Sequence, residues 1–433
     1  MSAIASVLAA MGHTVTGSDL KASAVTDRLA GQGVAVTIGH RAETVRAAAP
    51  DVVTASPAVS PGNPELAAAR ELGAEVVSRG EVLAAVAATR RTLAVAGTHG
   101  KTTTSSMLAL VLVEAGLRPG FLIGADVNEI GTNADWGAGE LLVLEADESY
   151  GTFATLRPAL SLLTNVEPDH LDHYGTAQAL EEAFARFLAA GEEGAVVWAD
   201  DPAAARLGRT AVAVAVGTGP GADYRVGDLR PGRSQVAFAL HGPEGDPLDL
   251  AVPVPGAHNA ANAAVAAVAA LRVGVAPADV ARGLARFAGV PRRFEFRGNA
   301  GGVTYVDDYA HLPSEVRATL AAARDGGWDR VVAVFQPHRY TRTAALAPDF
   351  ATAFDQADEV VVTDIYGAGE RPVPGVSGHL VAEAVSARRP VHYAPGWEEL
   401  RATVAGLLRP GDLCLTLGAG DLTALPDELL GAR

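Results

Sequence analysis

Lysine is almost absent from this sequence. Among 34 basic residues only Lys21 and Lys101 are lysines, and the others are arginines. This is a bias towards Ala, Gly and Arg, against which a lysine kept inside a glycine-rich loop is less incidental. Cysteine is scarcer still. Cys414 stands alone, which excludes a disulfide framework and a thiolate metal cluster and makes the cytoplasm the expected compartment. An excess of positive charge is lacking too. With a formal net charge of −16, the chain has no basic footprint for a nucleic-acid backbone, although a few local cations suffice for a nucleotide. No apolar run reaches the roughly 18 to 20 residues of a membrane span, so membrane insertion is not expected. The alanine-dominated stretch 260–271 reads instead as a buried helix. The residues before Met11 lack the basic n-region of a signal peptide.

What is present is ordinary globular material, 49% hydrophobic and 19% charged over 433 residues, with room for about three domains at roughly 150 residues each. Strand-length apolar runs alternate with helix-length segments, which predicts an α/β fold on mostly parallel sheets. Residues 1–89 form a first segment, bounded by Arg90-Arg91. Residues 90–290 form a second, opening on a buried strand at 93–96, and alternation with Gly/Pro turns over 224–254 predicts antiparallel strands inside it. Residues 291–433 form a third, with strands at 304–306, 330–335, 359–363 and 413–417. A dinucleotide-type unit has a strand and a glycine-rich turn before its first helix, and an acidic residue about 20 positions on. Here a helix at 3–11 comes first and Gly17-Ser18-Asp19 ends the next strand. The expectation is a chain clipped upstream of Met1.

Gly97-Thr98-His99-Gly100-Lys101-Thr102-Thr103 follows a buried strand and precedes a long helix at 103–115. Glycines let backbone N–H groups turn toward an anion, and the helix N-terminus adds a favourable dipole. Lys101 would neutralise β- and γ-phosphates and Thr102 would offer its hydroxyl to Mg²⁺. Val95 stands where the general pattern has its first glycine, yet the order strand, loop, lysine, helix marks a nucleotide site. A second buried strand, 141–144, ends in Glu145-Ala146-Asp147-Glu148-Ser149. Carboxylates at that place suit Mg²⁺ coordination and water positioning; a solvated acidic turn is the bland alternative. A third strand, 161–163, leads into Thr164-Asn165-Val166-Glu167-Pro168-Asp169-His170, which lifts His170 above an ordinary loop histidine. Asn259 is expected to cap the alanine-rich helix that follows Pro255-Gly256-Ala257, and His258 offers an aromatic face to a base.

The runs GTHGKTTT, EADES, NVEPDHLDHYG, PGAHNAAN, GVPRRFE, VDDYAH and FQPHRYTRT lie in this order across almost the whole chain. Together they resemble the Mur ligase family of peptidoglycan synthesis. RRFE, DDYAH and QPHRYTRT look like its alanine-adding branch; the murein-peptide recycling branch looks different around QPHRYTRT. The resemblance implies a three-domain α/β architecture: a Rossmann-like UDP-sugar domain at 1–89, a P-loop ATPase domain at 90–290 and a Rossmann-like amino-acid and ADP domain at 291–433. It also implies a cytoplasmic monomer or homodimer. The implied reaction uses ATP and Mg²⁺ to phosphorylate the lactyl carboxylate of UDP-N-acetylmuramate. The amine of L-alanine then attacks the acyl phosphate, and a tetrahedral intermediate loses phosphate to leave an amide.

Carried over residue by residue, Gly97, Thr98, His99, Gly100, Lys101, Thr102 and Thr103 would cradle ATP. Thr102 and Glu145 would hold one Mg²⁺ and His170 a second. Asn259 and Asn262 would line the nucleotide and substrate side, with His258 near the adenine and Arg293 reaching the phosphates. Asp307 or Asp308 would contact the ribose or order the loop. Tyr309, His311, His338, Arg339 and Arg342 would surround the amino acid, and Asp19 and Ser56 would sit near the uridine. These roles agree with the physics: carboxylate, γ-phosphate and developing oxyanion repel one another until cations offset them. Closure that excludes water would protect the acyl phosphate.

Some relatives that add later residues use a carbamylated lysine, and no spare lysine exists in 90–290; its absence fits the alanine-adding branch. Tyr150 stands where the family commonly has aspartate, and Leu312 replaces the second histidine of a usual His-His-Pro. Both leave the amino-acid preference among alanine, glycine, serine or a peptide open. A non-catalytic nucleotide-binding relative and a nicotinamide-dependent oxidoreductase are the readings from other classes. Lys101, Glu145, His170 and the third-segment cluster argue against both.

Overall fold

The computed structural model describes residues 1–243 and 245–431. The α/β expectation holds throughout. A ten-stranded sheet has the order Leu248–Val252, Val236–His241, Tyr224–Pro231, Val214–Gly217, Ala195–Trp198, Leu160–Leu163, Arg91–Ala96, Leu141–Glu145, Gly120–Val127, Thr132–Asp135. The pairs from Tyr224–Pro231 through to Gly120–Val127 run parallel, and the last pair is antiparallel. Arg91–Ala96 lies inside this sheet with Leu93, Ala94, Val95 and Ala96 all fully buried, as a near-continuous apolar run in a parallel sheet requires. Its register sets Val95 opposite Glu145 and Ala96 opposite Leu163. Three loops therefore leave the sheet side by side, one after Ala96, one after Glu145 and one after Leu163. Adjacent carboxyl ends of this kind are where open α/β sheets bind ligands.

The helix Lys101–Glu114 buries residues from Thr103 to Leu112. It packs on the helix Pro277–Ala285 so closely that a Cβ on Gly283 would come 2.7 Å from the Val111 Cα. On another side, Phe153 packs edge-on against Phe184 and stacks on Phe187 of the helix Ala177–Ala189, with centroids 5.2 and 5.4 Å apart. The stretch read as a buried helix is one, spanning Ala257–Arg272.

The third segment builds a six-stranded sheet in the order Glu295–Ala300, Val303–Asp308, Asp412–Leu417, Arg330–Phe335, Glu359–Val362, Val391–Tyr393. Only the first pair is antiparallel. Apolar clusters cover both faces, one around Phe335, Phe350 and Phe354 and another around Tyr305, Leu400 and Leu425. The first segment is different. Its strands form two separate parallel pairs, Thr16–Asp19 with Ala35–Ile38 and Val52–Ala55 with Glu75–Ser78, and none of these strand residues is buried.

By internal contacts the chain divides into two compact units. One holds Met1–Gly227, Ala239–Leu250 and Ala261–Arg286; the other holds Asp228–Phe238, Ala251–Ala260 and Phe287–Arg433. The first segment thus packs with the central one, for example through the Arg28–Asp126 pair at 3.2 Å.

Gly283→Ala should destabilise the protein by about 1–3 kcal/mol, because backbone rather than a movable side-chain tip meets the new methyl. Urea unfolding monitored by circular dichroism measures this; an unchanged midpoint would show that the two helices separate at no cost.

Candidate active site

The loop after Arg91–Ala96 is possible only with its glycines. Gly97 has φ +136° and Gly100 φ +80°, and a Cβ on them would lie 2.0 Å from the Thr164 Oγ1 and 2.4 Å from the Asn262 Oδ1. The neighbouring loop clasps it. Thr98 N–H donates to the Asn165 carbonyl (3.1 Å), His99 N–H to the Asn165 Oδ1 (2.8 Å), and the Asn165 amide returns a bond to the His99 carbonyl (3.0 Å). Thr164 Oγ1 donates to the same carbonyl at 2.6 Å, and Glu167 N–H donates to Thr98 Oγ1 at 2.9 Å.

Within this cradle the Lys101 ammonium donates to the Gly97 carbonyl at 2.5 Å and lies 2.9 Å from the Glu148 carboxylate. Burial opposes its charge, but Glu148, with Glu145 and Asp147 behind it, outweighs burial and holds the pKa above the ordinary lysine value. Glu148 is itself buried, and the Tyr174 hydroxyl donates to its backbone carbonyl at 2.6 Å. Thr102 Oγ1 donates to Glu145 Oε1 at 2.9 Å, and Gly124 N–H fixes the other carboxylate oxygen at 2.6 Å. A hydroxyl and a carboxylate so placed offer two hard oxygens, which fits Mg²⁺, an ion that keeps waters and takes phosphate oxygens for its remaining positions.

His170 occupies the left-handed region at φ +53°, with Nε2 3.6 Å from Asp169 Oδ2. Among the described residues no group of three or more His, Cys, Asp or Glu side chains could hold a metal ion. His170 is thus not gathered into a cluster of that kind. Asn262 faces Gly100, as noted. The cap expected of Asn259 is corrected: the helix starts two residues earlier, at Ala257, and the Asn259 amide donates to the Pro255 carbonyl at 2.7 Å. Asp19 and Ser56 each accept a local backbone bond, from Lys21 and Ala58 at 3.2 and 3.3 Å.

The second compact unit gathers the other candidates. Arg292 and Phe294 both have positive φ, +60° and +48°, so the chain is held in a sparsely populated conformation on either side of Arg293. Arg292 pays for little of this alone: its guanidinium bonds Asp307 and the Gly418 and Gly420 carbonyls. Asp307 also accepts from Thr416 and Thr423 at 2.6 and 2.7 Å, while Asp308 accepts from the Phe294 and Ala310 N–H groups at 2.7 and 2.8 Å. Both aspartates are buried; of the two roles expected for them, ordering the loop is the one these bonds perform. The guanidinium carbons of Arg292 and Arg293 lie 4.9 and 5.1 Å from the Tyr309 ring centroid.

His311 and His338 meet edge to face at 5.4 Å, Tyr309 packs on His311 at 5.4 Å, and Tyr366 stacks on His338 at 5.9 Å. Arg342 Nη1 donates to His338 Nδ1 at 3.0 Å. Burial, then the charges of His311, Arg342 and Arg339, push His338 down to about 3 and keep it neutral. Arg339 is strained at φ +68° and ψ 139°, its N–H donates to the Tyr366 carbonyl at 2.9 Å, and its buried Nε has no partner among the described residues. The Arg339 guanidinium adds positive charge beside His338. Leu312, the departure from the usual second histidine, is buried. Glu148, Asn165, Glu315 and Tyr366 are members of these sites to which the sequence alone assigned no role. Only Glu315 had a signal, three residues into a helix that starts after Leu312.

Three family models match the chain: the Mur ligase family catalytic domain over residues 1–91, the Mur ligase middle domain over 95–270 and the Mur ligase glutamate ligase domain over 292–420. A UDP-N-acetylmuramate–L-alanine ligase of Saccharopolyspora erythraea is 48% identical, covering 99% of this chain and 90% of its own length. The chain belongs to the Mur ligase family. The ligase of the same name from Rubrobacter xylanophilus is 45% identical, with 99% and 97% coverage. Among solved structures, the UDP-N-acetylmuramate–alanine ligase of Thermotoga maritima superposes with a TM-score of 0.82 at 27% identity, covering 100% of this chain and 96% of that one. A murein peptide ligase from Psychrobacter arcticus superposes with a TM-score of 0.70 at 25% identity, covering 100% and 96%. The three-domain α/β architecture of the Mur ligases is that of this chain.

In this Mur ligase, His258 is half-buried, and desolvation followed by the charge of Arg293 pushes it down to about 4 from 6.5. A neutral imidazole is also what stacking on a base asks for. An unfolded chain takes this proton near the ordinary value and the folded one only near 4, so the stability it contributes is full above pH 6.5 and is lost as pH falls towards 4. Asp308, pushed up to about 6 chiefly by burial, works in the opposite direction over the same range. His258→Gln should therefore flatten the acid-side decline by roughly 2–3 kcal/mol between pH 7 and 4. Denaturant unfolding of both proteins across that range measures it; parallel curves would mean that His258 takes its proton as readily in the folded chain as in the unfolded one.

Proposed function

We propose that this chain is an ADP-forming ligase that joins L-alanine to the lactyl carboxylate of UDP-N-acetylmuramate, a cytoplasmic step of peptidoglycan precursor synthesis. The observation that carries the reading is the presence in one chain of two unlike anion sites. One is the glycine cradle with its Lys101; the other is the aromatic and cationic group around Arg339, whose buried Nε is open. A binding-only relative has no use for the second. The 45–48% identity to alanine ligases over nearly the full chain supports the substrates.

The division of labour we assign follows the segments. Residues 1–89 take the UDP-sugar, with Asp19 and Ser56 near the uridine. Residues 90–290 take ATP, and residues 291–433 take the amino acid and ADP. Gly97, Thr98, His99, Gly100 and Thr103 shape the phosphate cradle, and Lys101 moves its charge from Glu148 to the β- and γ-phosphates. Thr102 and Glu145 hold Mg²⁺, with His170 on the second metal side. When bound, the metal screens the repulsion between γ-phosphate and substrate carboxylate. Asn262, facing Gly100, and Asn259 border the nucleotide, His258 stacks on its base and Arg293 offsets phosphate charge. Tyr309, His311, His338, Arg339 and Arg342 hold the amino acid, its carboxylate on Arg339. Positioning and charge offset, more than covalent help, are what phosphoryl transfer needs from a protein.

Lys101→Ala should lower ADP formation roughly a hundredfold or more while the fold persists, as a coupled ADP assay and circular dichroism would report together. Full activity would remove the cradle from the mechanism. Arg339→Ala should raise the alanine KM about tenfold or more and leave the ATP KM nearly unchanged; equal effects on both would place Arg339 elsewhere.

A further inference from the structure

Glu315 belongs to the helix Pro313–Asp325, and its carboxylate does more than close the first turn. Oε2 accepts from the N–H of His311 at 2.9 Å and of Leu312 at 3.1 Å, and lies 3.3 Å from His311 Nδ1. Oε1 lies 3.7 Å from Arg293. His311 Nδ1 is also 3.1 Å from the Tyr309 carbonyl. Neither a carbonyl nor a carboxylate that already accepts from two N–H groups can donate to Nδ1, so Nδ1 carries the ring's proton and Nε2 is its basic atom. His338 is set the opposite way: its Nδ1 accepts from Arg342, so the proton lies on Nε2. Two histidines 5.4 Å apart thus have opposite tautomers, and the Glu315 carboxylate lies against the protonated nitrogen of His311.

We propose that His311 is the base that removes the proton from the incoming amino acid's ammonium group, and that Glu315 is the positioning residue that fixes its tautomer. The proposal rests on the ligase reading above. At neutral pH the amino acid arrives as a zwitterion, and an ammonium nitrogen has no electron pair with which to attack an acyl phosphate. In the step proposed, one N–H bond of the ammonium breaks and its electron pair stays on nitrogen. The proton goes to the Nε2 lone pair, and His311 becomes an imidazolium whose charge Glu315 offsets. The freed amine attacks the acyl carbon, and the tetrahedral adduct expels phosphate with the electron pair of the C–O bond. The departing phosphate takes the nitrogen's remaining excess proton, and His311 later returns its own proton to water. A carboxylate on Nδ1–H strengthens the base at Nε2, as in other His–carboxylate pairs. The charged and titratable groups around this pair are Arg293 and Asp308 beside Glu315, Tyr309 on the ring, and His338 with Arg342, Arg339 and Glu370 across from it. The cations among them disfavour an imidazolium, which is why the carboxylate is needed.

The experiment begins with wild-type enzyme, UDP-N-acetylmuramate, Mg-ATP and hydroxylamine in place of alanine. Hydroxylamine is already neutral near pH 7 and needs no base, so hydroxamate formation reports the acyl phosphate alone. No hydroxamate in the wild type would overturn the ligase reading itself. Given hydroxamate, His311→Gln should lower kcat at saturating alanine about a hundredfold or more relative to hydroxamate formation. Its log kcat should climb with pH as free amine accumulates, and its deficit should shrink with 3-fluoroalanine, whose ammonium is more acidic. Glu315→Gln, which is isosteric, should move the acid limb of kcat/KM to lower pH and reduce the rate, and Glu315→Asp should restore part of it. A His311→Gln variant with a raised alanine KM but unchanged kcat and pH profile would overturn the proposal. So would a Glu315→Gln profile identical to the wild type.

Discussion

An ammonium group mostly withdrawn from water beneath a loop of glycines needs a counter-charge, and the loops of the first compact unit supply it. Lys101 satisfies it with Glu148 and with the carbonyls of its own loop. The loop can approach so closely only because Gly97 and Gly100 have no side chains to meet Thr164 and Asn262. Gly97 and Thr164 come together because the sheet register brings the ends of three parallel strands level, and Asn262 comes from the helix Ala257–Arg272. Sheet, loop and ion pair are therefore one construction. An anion that enters the cradle competes with Glu148 for a charge that is already desolvated, and in so dry a place electrostatic attraction is strong.

The second unit solves a different problem. On the reading proposed above it holds a small zwitterion, which calls for a cation facing the carboxylate and a neutral group near the ammonium. Arg339 and Arg342 supply positive charge, and His338 is kept neutral by burial and by those same arginines. Strain accompanies this placement. Arg292, Phe294 and Arg339 all occupy positive φ, and hydrogen bonds that the first two donate to the buried carboxylates of Asp307 and Asp308 hold them in place. The result is a rigid wall of side chains on one end of a parallel sheet.

Much of this was legible in the sequence, for identifiable reasons. Apolar runs such as Leu93 to Ala96 and Arg330–Phe335 announce buried parallel strands whatever their neighbours. The glycine, lysine and threonine of the phosphate loop are fixed by local geometry, so their spacing carries their meaning. What the sequence hid depends on distance in space. Glu148 reads as one more acid in an acidic turn until the fold lays it against Lys101. Glu315 has no role in the sequence until His311 and Arg293 are seen beside it. Asn259 misled because composition placed the helix start three residues too late, at 260 where the helix begins at Ala257. The first segment was hardest: its strands are short and exposed and pair only two by two, so little hydrophobic pattern marks what they support.

The most direct test of the central claim is ADP release by the purified chain with Mg-ATP, in a matrix of sugar nucleotide and amino acids. The account predicts release only when UDP-N-acetylmuramate and L-alanine are both present, with a product heavier than the sugar nucleotide by one alanyl residue. Release with the sugar nucleotide and a peptide but not with alanine, or release that ignores the amino acid altogether, would contradict it.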